Sequence, residues 1–235
     1  MLLYHYMSTV PDPSLAFLKA ERQSLYGYGD PSDLAHWERP DIWPVNDSPF
    51  SAYCDYAMLS DDKGGVPAIV DKQLGQSPDN VGLDLAGGEN GIALRDLMND
   101  GIIGKALLTT YKDRRDDITK ANKALGHVAG DLASPNTWQQ IIDWKNAHTP
   151  DGFSLVLHRP VVALQSFRPK TYMAAAHLIL DMVRPQGVVF SQVPAALYGR
   201  HLKTMGESLL ARPDVRTIVT AETDWDPPSA VIIKH

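Results

Sequence analysis

From residue 80 onward, short apolar runs alternate with helical patterns, and the last two runs have no helix between them. This order restricts the fold more than any other feature of the chain. Strands separated by helices need crossover connections, which make neighbouring strands parallel and cover both faces of the sheet. "FSLVL" (153–157) and "GVVF" (187–190) are apolar almost throughout, as strands buried on both faces must be. The final runs, "DVRTIVTAE" and "SAVIIKH", are joined only by "TDWDPP" and must turn back on each other. The expected fold is α/β: a mostly parallel seven-stranded sheet, helices on both faces and an antiparallel C-terminal hairpin.

The patterns place strands at 81–86, 105–111, 127–132, 153–158 and 187–193 before the final pair. Helices are expected at 91–100, 115–125, 137–146, 172–184 and 195–211. In the fourth of these, Met173, Ala176, Leu180 and Val183 share one face. Residues 1–75 differ from the rest: they are rich in Pro, Asp, Tyr and Trp and poor in long apolar runs. They read as a helical and loop extension, with a domain proper over 76–235. "DPSLAFLKAERQSLYG" is a short helix with Asp12 or Ser14 as its cap. Trp37, Trp43, Tyr53 and Tyr56 suit either a lid that excludes water from a ligand or a staple holding the extension to the domain.

Composition narrows the function classes. Of the 235 residues, 44% are hydrophobic and 21% charged, as in ordinary globular proteins. A net charge of −6 weighs against binding by broad phosphate neutralisation, so nucleic acid is the less expected partner. Cys54 is the single cysteine, which rules out an internal disulfide. No run approaches the roughly 18 apolar residues of a membrane helix, and the first residues lack a basic leader. A cytoplasmic setting is expected.

In such a sheet, ligands sit beyond the carboxyl ends of the strands. "VGLDLAGGENG", Val81–Gly91, ends the first strand in a glycine loop and opens a helix. Glycines let the backbone approach a ligand, and the helix start offers N–H groups to an anion. Two ligand classes compete. "AGGENG" fits the dinucleotide pattern G-x-G-x-x-G except at Ala86. A dinucleotide site also wants an acid about 20 residues after the loop, and "LLTTYKD" offers only Asp113. The second class depends on Asp84, an acid at the end of an apolar strand.

"VGLDLAGGENG" resembles motif I of the class I S-adenosylmethionine-dependent methyltransferases. The resemblance extends over about residues 80–235, since the terminal hairpin is also that family's last step. It implies S-adenosylmethionine as cofactor. It implies that Ala86, Gly87, Gly88 and Gly91 shape a loop under the methionine end, while Asp84 fixes the loop and places the amino group. The family usually ends its second strand with an acid that bridges the ribose hydroxyls. Tyr111 and Lys112 stand there, and Asp113 is the available substitute or else a solvated charge at a helix start. "HVAGDLAS" resembles the third-strand motif, which implies Asp131 at the adenine amino group and Leu132 on the ring. The plainer role for Asp131 is to cap the following helix.

Methyl transfer from a sulfonium is a direct displacement that needs alignment, water exclusion and sometimes a base. The fourth strand ends "LHRPV", not in the Asp/Asn-Pro-Pro-aromatic motif of amino-methylating nucleic-acid enzymes. His158, Gln192 and Glu222 stand at the strand ends where ribose 2′-O methylation would show Asp, Lys and Glu. His158 is the candidate base, since imidazole titrates near neutrality; its plainer role is a polar strand end. Arg159 would hold an acidic acceptor or a surface carboxylate. Trp43, Tyr53 and Tyr56 are the candidate acceptor contacts, and no metal site is expected. The expected function is S-adenosylmethionine-dependent methyl transfer to an unidentified acceptor, a small molecule in the first instance. The alternatives are a non-catalytic methyltransferase-like binding or assembly protein and an NAD(P)-dependent oxidoreductase. For the last, "YGRHLK" puts Tyr198 and Lys203 at the wrong spacing for one common oxidoreductase family. Oligomeric state is not specified by these patterns.

Overall fold

The computed structural model describes residues 13–16, 50, 65–85, 87–158, 169–192, 212–219 and 229–235. The strands are β1 (Val81–Leu85), β2 (Lys105–Thr110), β3 (Leu125–Ala129), β4 (Phe153–His158), β5 (Val183–Gln192), β6 (Val215–Val219) and β7 (Ser229–Lys234). The helices are α1 (Gly65–Leu74), α2 (Ile92–Asn99), α3 (Asp117–Ala121), α4 (Pro135–His148) and α5 (Pro169–Asp181). A 3-10 turn spans Pro13–Leu15.

The strands form one sheet in the order β3-β2-β1-β4-β5-β7-β6. Strands β1 to β5 pair in parallel, and β7 is antiparallel to both of its neighbours. The α/β architecture and the reversed C-terminal hairpin are therefore those expected. The chain order reverses direction at β1, between β2 and β4, which is where a sheet of this kind opens a crevice.

Alternation along the strands divides the core. Leu83, Leu85, Leu107, Val156 and Val189 pack with Trp138 and Ile141 of α4 and with Ile179 and Leu180 of α5. Leu108, Leu155, Leu157, Val188 and Phe190 pack with Ile69 and Val70 of α1 and with Leu94 and Leu97 of α2. Each fully buried Leu or Phe contributes about 1.5–3 kcal/mol of transfer free energy. Leu15 joins the first group and Phe50 the second, so the described parts of the N-terminal extension reach the core.

Helix α2 ends where the chain turns left-handed at Gly101, φ 72°. Ile102 N donates to Leu97 O at 2.9 Å, and Gly101 N donates to Met98 O at 3.1 Å. These are the two bonds of a Schellman stop. The amino end of β1 is pinned by buried Asn80. Its Nδ2 donates to Ile102 O at 2.8 Å, and its Oδ1 accepts from Arg184 Nη2 at 2.7 Å.

Several element boundaries differ from those expected. The third strand starts at Leu125, two residues early, and leaves Asp131 and Leu132 in the loop beyond it. Gly126 suggested a helix stop; instead it lies flat against Trp144, and a Cβ there would overlap the indole. The helix expected over 115–125 shrinks to Asp117–Ala121, because Asn122 is already extended. Helix α5 stops at Asp181, so Val183 is not on its apolar face but pairs with Phe153 in β5. Between Val183 and Val188 the β5 chain makes a detour while β4 advances only from Phe153 to Leu155. Gln186 takes φ 64° in that detour. Helix α1 was not foreseen: its sequence, "GVPAIVDKQL", has Gly and Pro at its first and third positions. The helix expected over 195–211 lies outside the described residues. Among the described residues, no helix is long and apolar enough to cross a membrane.

Candidate functional site

Asp84 is fully buried in β1, between Leu83 and Leu85, which both face the α4/α5 side. Its side chain therefore points to the α1/α2 side. Strand β1 is flanked by β2 and β4, with Asp84 level with Leu108 on one side and Leu157 on the other. The Asp84 carbonyl accepts a bond from Thr109 Oγ1 at 3.1 Å, which ties β2 to β1 at this level.

The chain then folds back over the carboxylate. A Cβ at Gly87 would overlap the Asp84 carboxyl group, so only glycine leaves room for it. Gly87 does not need glycine for its φ, but Gly88 and Gly91 do, at φ 88° and 56°. Gly91 is the N-cap of α2 and supplies no side-chain cap, so the first turn of the helix opens onto the loop. Asp84, Gly87, Gly88 and Gly91 are thus assembled as one cradle at the crevice. Its far side is bolted down by Asn90, whose Oδ1 accepts from Asp116 N at 2.9 Å. Arg114 lies 3.6 Å from Glu89.

Strand β2 ends at Thr110 without an acid, and Tyr111 next to it is half exposed. Asp113 does return towards the sheet, but another residue holds it. Arg115 Nε donates to Oδ1 and Nη2 to Oδ2, both at 2.9 Å, and Arg115 N donates to Oδ1 at 3.3 Å. These bonds keep the carboxyl far below the usual range. His127 Nδ1 stands 3.8 Å from Oδ2, and its Nε2 lies 2.8 Å from Thr110 Oγ1. Because Thr110 gives its hydroxyl hydrogen to Lys112 O at 2.8 Å, His127 donates from Nε2. Burial, helped by the Arg115 charge, pushes the His127 imidazole down to about 4, so it is neutral at pH 7.

Asp131 Oδ1 accepts from Ala133 N at 2.8 Å and its carbonyl accepts from Ser134 N, so Asp131 forms the turn ahead of α4 rather than its cap, which is Ser134. Leu132 is buried with the α4 core, and its carbonyl accepts from Trp138 Nε1 at 2.6 Å. His158 is buried at the end of β4, level with Leu85 of β1 and Ser191 of β5. Alternation puts it on the face opposite Asp84. Burial pushes His158 down to about 4. Ala86, Arg159, Trp43, Tyr53 and Tyr56 lie outside the described residues. Among the described residues, no cluster of His, Cys, Asp and Glu has the makings of a metal site.

No family model and no curated protein matches the sequence. Solved structures do match. A provisionally assigned rRNA methylase from Clostridium thermocellum superposes with a TM-score of 0.50 at 14% identity, over 72% of this chain and 94% of that one. A provisionally assigned S-adenosylmethionine-dependent methyltransferase from Streptococcus mutans also gives 0.50, at 11% identity, over 72% of this chain and 48% of that one. The chain has the class I methyltransferase fold. Within this methyltransferase fold, the loop read first from "DLAGGENG" lies at the chain reversal of the sheet, as expected.

Thr109, Asn90, Arg115 and His127 were not foreseen as parts of the site. Thr109 carried a signal, since a polar pair, "TT", closes an otherwise apolar buried strand. Arg115 stands two residues after Asp113 and could be read locally, whereas His127 carried no signal, because only the β2–β3 pairing brings it there.

Proposed function

We propose that this chain binds S-adenosylmethionine and transfers its methyl group to an acceptor. One observation carries the reading: a buried acid, Asp84, lies under a glycine, Gly87, whose missing Cβ makes room for it, at the chain reversal of a methyltransferase-type sheet. Free φ at Gly88 and Gly91 and the uncapped start of α2 fit a ligand held by backbone groups. In this reading Ala86, Gly87, Gly88 and Gly91 hold the methionine end, and Asp84 fixes the loop and so helps to place the amino group. Asp131 takes the adenine amine, Leu132 packs on the ring and Asp113 meets the ribose. When bound, the donor supplies a sulfonium methyl that is already activated for displacement.

His158 is the proposed polar group on the acceptor side. With its imidazole near 4 it is neutral at working pH, so it orients an acceptor by a hydrogen bond and takes a proton only as that proton becomes acidic in the reaction. Arg159, Trp43, Tyr53 and Tyr56 are the proposed acceptor contacts, with residues 1–75 as the lid. The acidic balance of the chain speaks for a small acceptor, whereas the Clostridium thermocellum neighbour is described as an rRNA methylase.

Calorimetric titration of the protein with S-adenosylhomocysteine and with NAD tests the donor. Heat with S-adenosylhomocysteine alone is expected. Heat with NAD alone would mark an oxidoreductase, and heat with neither would mark a binding module. Transfer of labelled methyl groups into a small-molecule extract or into total RNA then separates the two acceptor classes.

A further inference from the structure

We propose that Asn90 is a positioning residue for the donor: it latches the glycine loop to the first turn of α3, and through that latch the loop keeps its shape for the methionine end. This rests on the S-adenosylmethionine reading above. Three of the five residues from Gly87 to Gly91 are glycines, which lose the most conformational freedom when they are ordered. Gly91 starts α2 without a side-chain cap. Within this stretch, side-chain contacts can come only from Glu89 and Asn90.

Glu89 adds little. Its carboxylate stands 3.6 Å from Arg114, and both side chains are partly exposed, so solvent screens the pair. Asn90 holds more firmly. Its Oδ1 accepts from Asp116 N at 2.9 Å and from Thr119 Oγ1 at 3.4 Å, 26 and 29 residues further along the chain. A backbone N–H only donates, so the amide oxygen has to face α3. Both donors sit on an anchored platform. Asp116 is the N-cap of α3, and its Oδ1 accepts from Thr119 N at 2.7 Å. Thr119 is fully buried, and its hydroxyl accepts from Arg95 Nη1 of α2 at 3.5 Å. Helices α2 and α3 thus meet at the hydroxyl that bonds to Asn90. A contact through which α3 orders the loop is one through which the loop orders α3. A donor that favours the closed loop should therefore quiet α3, where no donor contact is assigned.

Calorimetry with S-adenosylhomocysteine and amide hydrogen exchange test this. In the wild type, saturating S-adenosylhomocysteine should slow exchange both at 87–91 and at 116–121. Asn90→Ala should bind about tenfold more weakly. When saturated, it should still be slowed at 87–91 but no longer at 116–121. Asn90→Asp, which keeps an acceptor for Asp116 N, should recover most of the affinity and the slowing at α3. Glu89→Gln should bind within about twofold of the wild type. Wild-type affinity in Asn90→Ala, no recovery in Asn90→Asp, a loss in Glu89→Gln equal to that in Asn90→Ala, or no slowing at 116–121 in the wild type would overturn the latch and leave the donor reading intact. Failure of the wild type to bind S-adenosylhomocysteine would overturn both. The wild-type exchange measurement needs no variant, so the test stands however well Asn90→Ala folds.

Discussion

The carboxylate of Asp84 and the α-carbon of Gly87 share a space in which a single added methyl group does not fit. Because Gly87 is not in the left-handed region, alanine suits its backbone, and only the carboxylate opposes it. Gly87→Ala should cost about 1–3 kcal/mol of stability and abolish S-adenosylhomocysteine binding. Asp84→Ala makes the room that Gly87→Ala needs, so in urea melts the double variant should be more stable than the two single losses added together. Strict additivity would mean that the two groups do not press on each other.

Asp131 has a turn to hold as well as a proposed ligand. Asp131→Ala removes the bond to Ala133 N and should lower stability by about 1 kcal/mol. Asp131→Asn keeps an acceptor for Ala133 N but loses the charge. It should melt near the wild type while binding S-adenosylhomocysteine several-fold more weakly. Unchanged binding in Asp131→Asn would return Asp131 to a purely structural role.

Acid should loosen the fold before most carboxylates titrate. His127 and His158 are each held down from 6.5 to about 4, so between those values the unfolded chain takes up protons that the folded chain does not. Their contribution is complete above about pH 6.5 and lost as the pH falls towards 4. At about 1.4 kcal/mol per pKa unit, His158 accounts for up to about 3 kcal/mol, and the less buried His127 for less. Urea midpoints should fall between pH 7 and 4.5, and more gently in His158→Gln. A slope in His158→Gln equal to that of the wild type would remove His158 from this account.

Gly126 is a packing glycine, and its replacement should show this. Gly126→Ala drives a methyl group into the Trp144 indole, which also stacks on Phe153. A loss of about 1–3 kcal/mol is expected, with a shift in tryptophan fluorescence. A variant as stable as the wild type would mean that the indole has room to move.

The sheet was legible because its strands must be apolar on both faces. Phe153–His158 was placed to the residue, and the helix-free link before Ser229 announced the reversed strand. Where small residues serve packing, local rules misled. Gly126 looked like a stop signal and is a seat for Trp144. Pro67 lies in the first turn of α1, where proline is tolerated, so it does not bar a helix there. The candidate site divides in the same way. Asp84 and Gly87 are neighbours in sequence, so their relation could be read directly. Asp113 stands out as a late acid and its holder Arg115 is two residues away, but the approach of His127 could not be read, since it comes only through strand pairing.

Strand β7 lies between β5 and β6 although it follows both in the chain. Strand β6 therefore has no place in the sheet until Ser229–Lys234 arrives. During synthesis, β1 to β5 are all available first, and the outer edge of β5 stays open with its backbone groups unpaired. Closing that edge falls to the six residues of β7. Until they are made, the nascent chain carries a ready template for pairing with the wrong strand.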